Sequence, residues 1–274
     1  NTRPSRLIEP CQLGFRAETL IMESTYGAKT DRHPSLKDES NRIVHLMQET
    51  LDNGGKVLVP TFAIGRGQEV LFMLENYMRS GLLEKVPIYL DGMVNKALRI
   101  YRHNAMYLKR EVQLRILSSD DDPFKSEQYF TPQRKDRSDV LEQEKCIILA
   151  TSGMLNGGPV LTYLRHLAPD EKNLLMLSGF QAKGTRGREL SEGAKELNID
   201  GDLVPINLKV EQAQLSGHSD HEGLVQFARS VEGLKRVFLV HSEPEKGKEL
   251  SKELAHLLRG VEVVLPKLGE TIRL

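Results

Sequence analysis

The chain has 274 residues, enough for one large domain or two of ordinary size. Lys and Arg together number 38, as do Asp and Glu, so the formal net charge is zero. This balance argues against a protein held on nucleic acid by a bulk positive field, although it leaves room for a local basic groove. Trp is absent and aromatic residues make up only 5% of the chain, which argues against a broad platform for stacked bases.

Short apolar runs alternate with amphipathic segments, a pattern typical of an α/β fold with a mostly parallel sheet. The predicted strands are 19–22, 56–59, 87–90, 146–150, 173–177, 204–212, 236–240 and 261–265. The predicted helices are 36–53, 67–80, 94–117, 160–166, 221–231 and 245–259.

Two segments depart from this alternation. Residues 118–144 are polar and contain Pro, which predicts a long surface excursion, whereas 204–215 alternates between apolar and polar residues and predicts a half-exposed strand. The charged run 109–115 (KREVQLR) is interpreted as an exposed helix face. The last residues, ETIRL, are predicted to form a strand that could pair in a homodimer.

The cysteine pattern and the hydropathy indicate the cellular context. Cys11 and Cys146 lie far apart and form no CxxC unit, so neither a disulfide framework nor a cysteine zinc site is expected, and Cys146 is expected in a core. No apolar stretch approaches transmembrane length and no signal peptide is visible. We therefore expect a cytoplasmic protein without a membrane partner. The chain begins with Asn rather than Met, so we expect it to be part of a longer protein.

Polar residues collect directly after several predicted strands, where ligands of open α/β sheets bind. Glu23, His218 and His241 each lie at such a strand end, in three separate segments. On spacing alone, a joint functional role for His218 and His241 is supported no better than a structural role for both. Ser219 and Glu222 have the spacing of a capping box, which predicts Ser219 as the N-cap of the following helix. Five histidines on loops or helical faces are interpreted as structural or solvated: His33, His45, His103, His166 and His256.

His218 and His241 do not complete a zinc site by themselves. A catalytic zinc ion generally has three protein ligands and one open position. The sequence contains neither HxHxDH nor HExxH, so most ligands of any metal would have to come from elsewhere.

Six separated blocks occur in this order: IMESTYG, VPTFAIGRGQE, PIYLDGM, ATSGMLNGGP, LSGHSD and LVHSEPEK. Together they resemble the β-CASP subfamily of metallo-β-lactamase nucleases over nearly the whole chain. The pattern is most similar to prokaryotic homologues, including archaeal ones, of the endonuclease subunit of the cleavage and polyadenylation specificity factor.

The resemblance implies an α/β fold in which a β-CASP domain, with a mostly parallel sheet flanked by helices, is inserted into a partial αββα metallo-β-lactamase domain. It places metallo-β-lactamase residues at 1–26, the β-CASP domain at 27–215, and the returning metallo-β-lactamase segment at 216–274. By the same comparison, the HxHxDH motif of the family precedes the segment that this chain contains.

The resemblance also implies an RNA-cleaving mechanism. Glu23, His218 and His241 match the family's motifs A, B and C, and a His in motif C favours RNA, since DNA-directed members carry Val. The implied cofactor is zinc, two ions that share an activated hydroxide, with His241 as a ligand. His218 is then the general acid or a phosphate ligand, and Glu23 holds its other ring nitrogen. Glu243 is a candidate to hold the second nitrogen of His241.

Single-stranded RNA is the implied partner. Arg66, Lys183 and Arg186 are candidate phosphate contacts, and the turn at Ser152 could bring backbone N–H groups close to a phosphate. Three alternatives stay open: a non-catalytic scaffold of a processing complex, an RNA-binding module that does not cut, and a hydrolase of small esters. The chain alone is expected to have little or no nuclease activity.

Overall fold

The computed structural model describes residues 5–118 and 121–272, which divide into two compact units. The first unit combines the residues up to Pro34 with those from Ser216 onward, and the second spans Ser35–Leu215. Mostly parallel sheets flanked by helices confirm the expected α/β class. The domain boundaries implied by the resemblance stay a prediction.

The strands are numbered in chain order. They are β1 (Thr19–Glu23), β2 (Val57–Pro60), β3 (Ile88–Asp91), β4 (Tyr129–Phe130), β5 (Ile147–Ala150), β6 (Leu174–Leu177), β7 (Glu196–Ile199), β8 (Asp202–Pro205), β9 (Lys209–Gln212), β10 (Arg236–Val240) and β11 (Glu262–Val264). The helices are α1 (Leu36–Asp52), α2 (Arg66–Arg79), α3 (Val94–His103), α4 (Arg110–Leu117), α5 (Arg137–Leu141), α6 (Pro159–Leu167), α7 (Arg186–Ser191), α8 (His221–Arg229) and α9 (Pro244–Leu257). None of the helices that the structure describes is both long and apolar enough to cross a membrane.

The first unit is built on a parallel sheet in the order β1–β10–β11. Leu20 and Met22 of β1 are buried while Ile21 between them is exposed, as a strand covered on one face requires. The buried face packs on apolar residues of α8 and α9, such as Leu224 and Leu250. The register pairs Glu23 with Val240, so the ends of β1 and β10 lie side by side.

The second unit contains a six-stranded sheet in the order β4–β3–β5–β2–β6–β9, with parallel pairing throughout. Every residue of β2, β5 and β6 is buried, which explains why these strands are continuous apolar runs in the sequence. Because they are parallel neighbours, the loops that follow them meet at one edge of the sheet.

The predicted strand 204–212 is wrong as a single element. It is two strands, β8 and β9, and β8 forms an antiparallel hairpin with β7, which the sequence interpretation missed. Asp200 and Gly201 both have positive φ, 54° and 96°, as the Asp-Gly turn of a tight hairpin requires. Pro205 ends β8 and forms no part of β9.

The predicted helix 94–117 is also divided. It consists of α3, a 3₁₀ turn at Ala105–Tyr107, and α4. The segment 118–144 includes β4 and α5, and it buries Asp122, Phe124 and Val140, so a surface excursion describes it only in part. At the other end of the chain, 270–272 are irregular rather than a strand, and 273–274 lie outside the described residues. Homodimer formation through this segment stays a prediction.

Candidate active site

His241 turns sharply as soon as β10 ends. The Ser24 N–H donates to the carbonyl oxygen of Val240 at 2.9 Å, which continues the β1–β10 pairing one residue beyond Glu23. His241 then takes φ 58°, in the left-handed region that is costly for residues with a side chain. A non-glycine residue held there at a strand end marks a candidate functional position.

His218 lies in the turn that precedes α8. Its backbone N–H donates to Oγ of Ser216 at 3.0 Å. The expected cap of α8 at Ser219 is wrong, because Asp220 is the N-cap and its Oδ1 accepts from the Gly223 N–H at 3.1 Å. The carboxylate of Asp220 also accepts from the backbone N–H of His33 at 3.3 Å, which ties this turn to the segment after β1.

The structure brings Glu23, His218 and His241 together. Each offers one potential ligand atom, and these atoms lie within 4.8 Å of one another. Nδ1 of His218 is 3.3 Å from Oε2 of Glu23, and the two imidazole rings stack with centroids 5.5 Å apart and planes 22° from parallel. Three segments distant in sequence therefore form one group of side chains.

The Glu23 carboxylate is stabilised in its charged form. Its partial burial would raise its pKa, but hydrogen bonds from His218 and from the backbone N–H of Thr25, at 2.8 Å, outweigh that effect and leave the pKa below its usual value. Glu23 is therefore a carboxylate at neutral pH and can accept a hydrogen bond from the imidazole of His218.

The sequence interpretation missed two residues of this group, Thr25 and Tyr26. The Thr25 hydroxyl oxygen lies 3.1 Å from Nδ1 of His241, where Glu243 had been the candidate partner. The Tyr26 ring packs edge-on against His33, with centroids 4.5 Å apart, and its centroid is 6.4 Å from that of His218. They stand two and three residues after Glu23, within the block IMESTYG, and this proximity is a signal that could have found them.

The segment after β1 is held in place from several sides. A side chain at Gly27 would meet the backbone oxygen of Lys246 at 2.7 Å, so only glycine fits there. The ammonium of Lys246 pairs with Asp31 at 2.9 Å and lies 5.4 Å from the centroid of the Tyr26 ring. The buried His221 lies between the carbonyl oxygen of Gly27, at 3.0 Å, and Glu253, at 3.1 Å.

The chemistry of the group fits zinc. One carboxylate and two imidazoles are donors that zinc takes in proteins. Nδ1 of both histidines already faces Glu23 or Thr25, so Nε2 of each ring is the nitrogen left for a metal ion or a substrate. Among residues 5–118 and 121–272, Glu23, His218 and His241 form the cluster of side chains that could hold a metal ion.

The four candidate RNA contacts lie in the second unit, after the adjacent strands β2, β5 and β6. Arg66 is largely buried and pairs with Glu69 at 2.7 Å. Arg186 donates to the backbone oxygens of Asn198, at 2.9 Å, and Leu155, at 3.4 Å. Lys183 is exposed, whereas Oγ of Ser152 accepts from the Asn156 N–H at 3.1 Å.

Because of these contacts, the four candidates are not equally available to bind a phosphate. The two arginines are committed to protein partners, and the backbone N–H of Ser152 donates to Gly157 within its own loop at 3.2 Å. Lys183 is thus the candidate whose charge is most accessible to a phosphate. An RNA-binding role for any of the four stays a prediction.

Comparison with known proteins supplies the family. A model of the Beta-Casp domain matches residues 67–190, and a model of the RNA specificity domain of zinc-dependent metallo-hydrolases matches residues 203–266. The chain belongs to the β-CASP family. The expected resemblance is therefore confirmed, and it associates the chain with RNA-acting hydrolases.

Several archaeal β-CASP proteins are similar to this chain. A protein named transcription termination factor FttA from Methanocaldococcus jannaschii is 40% identical over 265 residues, which cover 93% of this chain and 42% of that protein. Its namesake from Pyrococcus abyssi is 38% identical, with 99% of this chain and 43% of that protein covered. An RNase J-like protein from Methanocaldococcus jannaschii is 41% identical, with 89% and 56% covered. The chain thus spans roughly half the length of these relatives or less.

Proposed function

We propose that this β-CASP chain supplies part of the active site of a zinc-dependent ribonuclease. The observation that supports it is the convergence of Glu23, His218 and His241 at the ends of β1 and β10 and before α8. The match to an RNA specificity domain favours RNA as the substrate. A hydrolase of small esters would leave that match unexplained.

In this proposal His218 delivers a proton to the leaving 3′ oxygen when the phosphodiester bond breaks. A histidine can hold and release a proton near neutral pH, which suits a general acid. Glu23 accepts a hydrogen bond from Nδ1 of His218 at 3.3 Å, which orients the ring. The Thr25 N–H in turn orients the Glu23 carboxylate.

Zinc, as two ions in the complete protein, would supply a water nucleophile of lowered pKa and stabilise charge on the phosphate. His241 would hold one ion through Nε2, with Glu23 and His218 close by. Two catalytic ions need more ligands than this group offers, so we propose that the chain alone has little or no nuclease activity.

The second unit would guide single-stranded RNA. Lys183 presents an exposed ammonium at the edge where the loops after β2, β5 and β6 meet, and Ser152, Arg66 and Arg186 border the same edge. Contacts to phosphates position a strand without reading its sequence. The name of the FttA relatives, transcription termination factor, favours newly made transcripts as the RNA, and we propose that the chain meets them in the cytoplasm.

The test uses the longest natural polypeptide that contains this sequence, purified with zinc, and labelled single-stranded RNA. We expect cleavage that His241→Ala and His218→Ala reduce by at least about a hundredfold, in line with loss of a metal ligand or a general acid. His256→Ala is the matched control, because His256 is exposed on α9 and should leave cleavage unchanged. Binding of RNA without cleavage would instead support a non-catalytic scaffold.

A further inference from the structure

Thr25 is buried, with 6% of its surface exposed, and its hydroxyl lies between the two histidines. The oxygen is 3.1 Å from Nδ1 of His241 and 3.4 Å from Nδ1 of His218. It is also 3.1 Å from the backbone carbonyl oxygen of His241. One hydroxyl therefore meets both imidazoles and the backbone of one of them.

The hydrogen of this hydroxyl is already committed. A hydroxyl has one hydrogen to donate and lone pairs with which to accept. The Thr25 hydroxyl donates to the backbone carbonyl oxygen of His241 at 3.1 Å, and a carbonyl oxygen can only accept. The hydrogen therefore goes to this carbonyl oxygen, and toward the histidine nitrogens the Thr25 oxygen is an acceptor.

The tautomer of His241 follows from this assignment. A ring nitrogen that faces an acceptor at 3.1 Å must carry its own hydrogen, so Nδ1 of His241 is protonated and the lone pair of the neutral ring lies on Nε2. We propose that Thr25 is a positioning residue that holds His241 in the Nδ1–H tautomer and so turns Nε2 outward as the donor for a metal ion. The metal rests on the proposed function, whereas the tautomer does not.

The same arrangement applies to His218. Nδ1 of His218 faces the Thr25 hydroxyl and, at 3.3 Å, the Glu23 carboxylate, so it too carries a hydrogen. Both rings are therefore tied through Nδ1 to the segment 23–25 and stack nearly parallel. Thr25 lies in the turn two residues after β1, and the preceding Ser24 N–H still pairs with the carbonyl oxygen of Val240, so this anchor stands close to the end of the sheet.

Nitrogen NMR of the histidine-labelled, metal-free chain tests the proposal, at a pH high enough for neutral imidazoles. The signals of His241 are assigned by their loss in His241→Gln. In the wild type we expect Nδ1 in the protonated range and Nε2 in the unprotonated range. A His241 that is Nε2–H in the wild type overturns the proposal.

Substitutions then test whether Thr25 is the cause. Thr25→Val keeps the shape and removes the hydroxyl, so we expect His241 to shift toward the Nε2–H tautomer that neutral imidazole favours in water. Thr25→Ser should restore the wild-type spectrum, and Thr25→Ala replaces Val if Val does not fold. An unchanged His241 spectrum in the variant without a hydroxyl overturns the proposal. Because RNA and metal are absent, a failed ribonuclease assay leaves this result untouched.

Discussion

His241 occupies a backbone conformation that its side chain does not favour. At φ 58°, Cβ lies too close to the following carbonyl oxygen, at a cost of about 1–2 kcal/mol for an L-residue other than glycine. The contact with Thr25 and the stacking on His218 hold the residue there.

This conformation predicts an inverted order of stability for two truncations of His241. Elsewhere in a strand or helix Gly is less stable than Ala by roughly 0.5–1 kcal/mol. At position 241 we expect His241→Gly to be more stable than His241→Ala by about 1 kcal/mol, since both lose the imidazole and only Gly relieves the backbone. Urea unfolding of both variants measures the difference. If Ala equals or exceeds Gly, the backbone of His241 is unstrained.

Cys146 provides a second test at the scale of a residue. Burial raises the pKa of its thiol to about 12, so at pH 8 almost no reactive thiolate is present. We expect a thiol reagent to modify one cysteine, Cys11, in the native chain and two after unfolding. The Cys11→Ser variant should then show no modified cysteine in the native state. Rapid native labelling of that variant would contradict burial of Cys146.

The candidate site was predictable at some residues and not at others. Glu23, His218 and His241 could be grouped from the sequence because each follows a strand, and parallel strands end at a common edge. The role of Thr25 depends on where one hydroxyl hydrogen goes, and only the distances show that. Ser219 and Asp220 are both good caps, so spacing alone could not choose between them.

At the scale of elements, Arg115 shows how composition can mislead. The run 109–115 is highly charged, which predicts an exposed face, yet the Arg115 side chain is only 14% exposed. Its guanidinium donates to Asp121 through two nitrogens, at 2.9 and 3.1 Å, to Glu75 at 2.8 Å and to Asn76 at 2.8 Å. It therefore connects α4 to α2 and to the segment after α4.

We expect Arg115→Lys to lower the free energy of unfolding by about 1–2 kcal/mol, because an ammonium cannot reproduce a bidentate fork and leaves partly buried acceptors with fewer donors. Arg110→Lys is the matched control, since Arg110 is exposed at the start of the same helix and the change should stay within about 0.5 kcal/mol. If urea unfolding gives the two variants equal stabilities, the hydrogen bonds of Arg115 contribute nothing to the free energy of unfolding.

The Arg115 network also has a pH dependence. Hydrogen bonds from Arg115 hold the pKa of Asp121 below its usual value despite slight desolvation. The stability that this carboxylate contributes is therefore present above the unfolded pKa of about 3.9, and it is lost as the pH falls through the lower folded value. The free energy of unfolding of the wild type should accordingly exceed that of Asp121→Asn above about pH 4, and the difference should shrink as the pH falls below that value. A difference in free energy of unfolding that stays constant as the pH falls would contradict stabilisation of the Asp121 carboxylate by Arg115.

The elements themselves were predictable to different degrees. Continuous apolar runs identified β2, β5 and β6, because these strands are buried on both faces. The break between α3 and α4 could not be recognised in the sequence, because the segment that joins them, 104–109 (NAMYLK), contains neither Gly nor Pro. The short strand β4 has one side chain exposed and one partly exposed, so it carries almost no periodic signal.

At the scale of the whole molecule, the zero net charge limits how RNA can bind. A chain with 38 residues of each sign has no bulk field, so its affinity must come from a few local contacts. With Arg66 and Arg186 engaged by protein partners, we expect one to three phosphates to be neutralised. For single strands this predicts a slope of log affinity against log salt of about −0.7 to −2.

Lys183 should account for a defined share of that slope. Lys183→Gln removes one accessible charge beside the loops after β2 and β5, so the slope should become shallower by about 0.7, and the affinity for single-stranded RNA should fall about equally for all sequences. Lys172→Gln is the matched control, because Lys172 is also exposed but precedes β6, at the opposite edge of the sheet. Fluorescence anisotropy of labelled RNA at several salt concentrations gives both slopes. If the two variants change the slope equally, RNA is attracted by the overall charge rather than by the edge at which β2, β5 and β6 end.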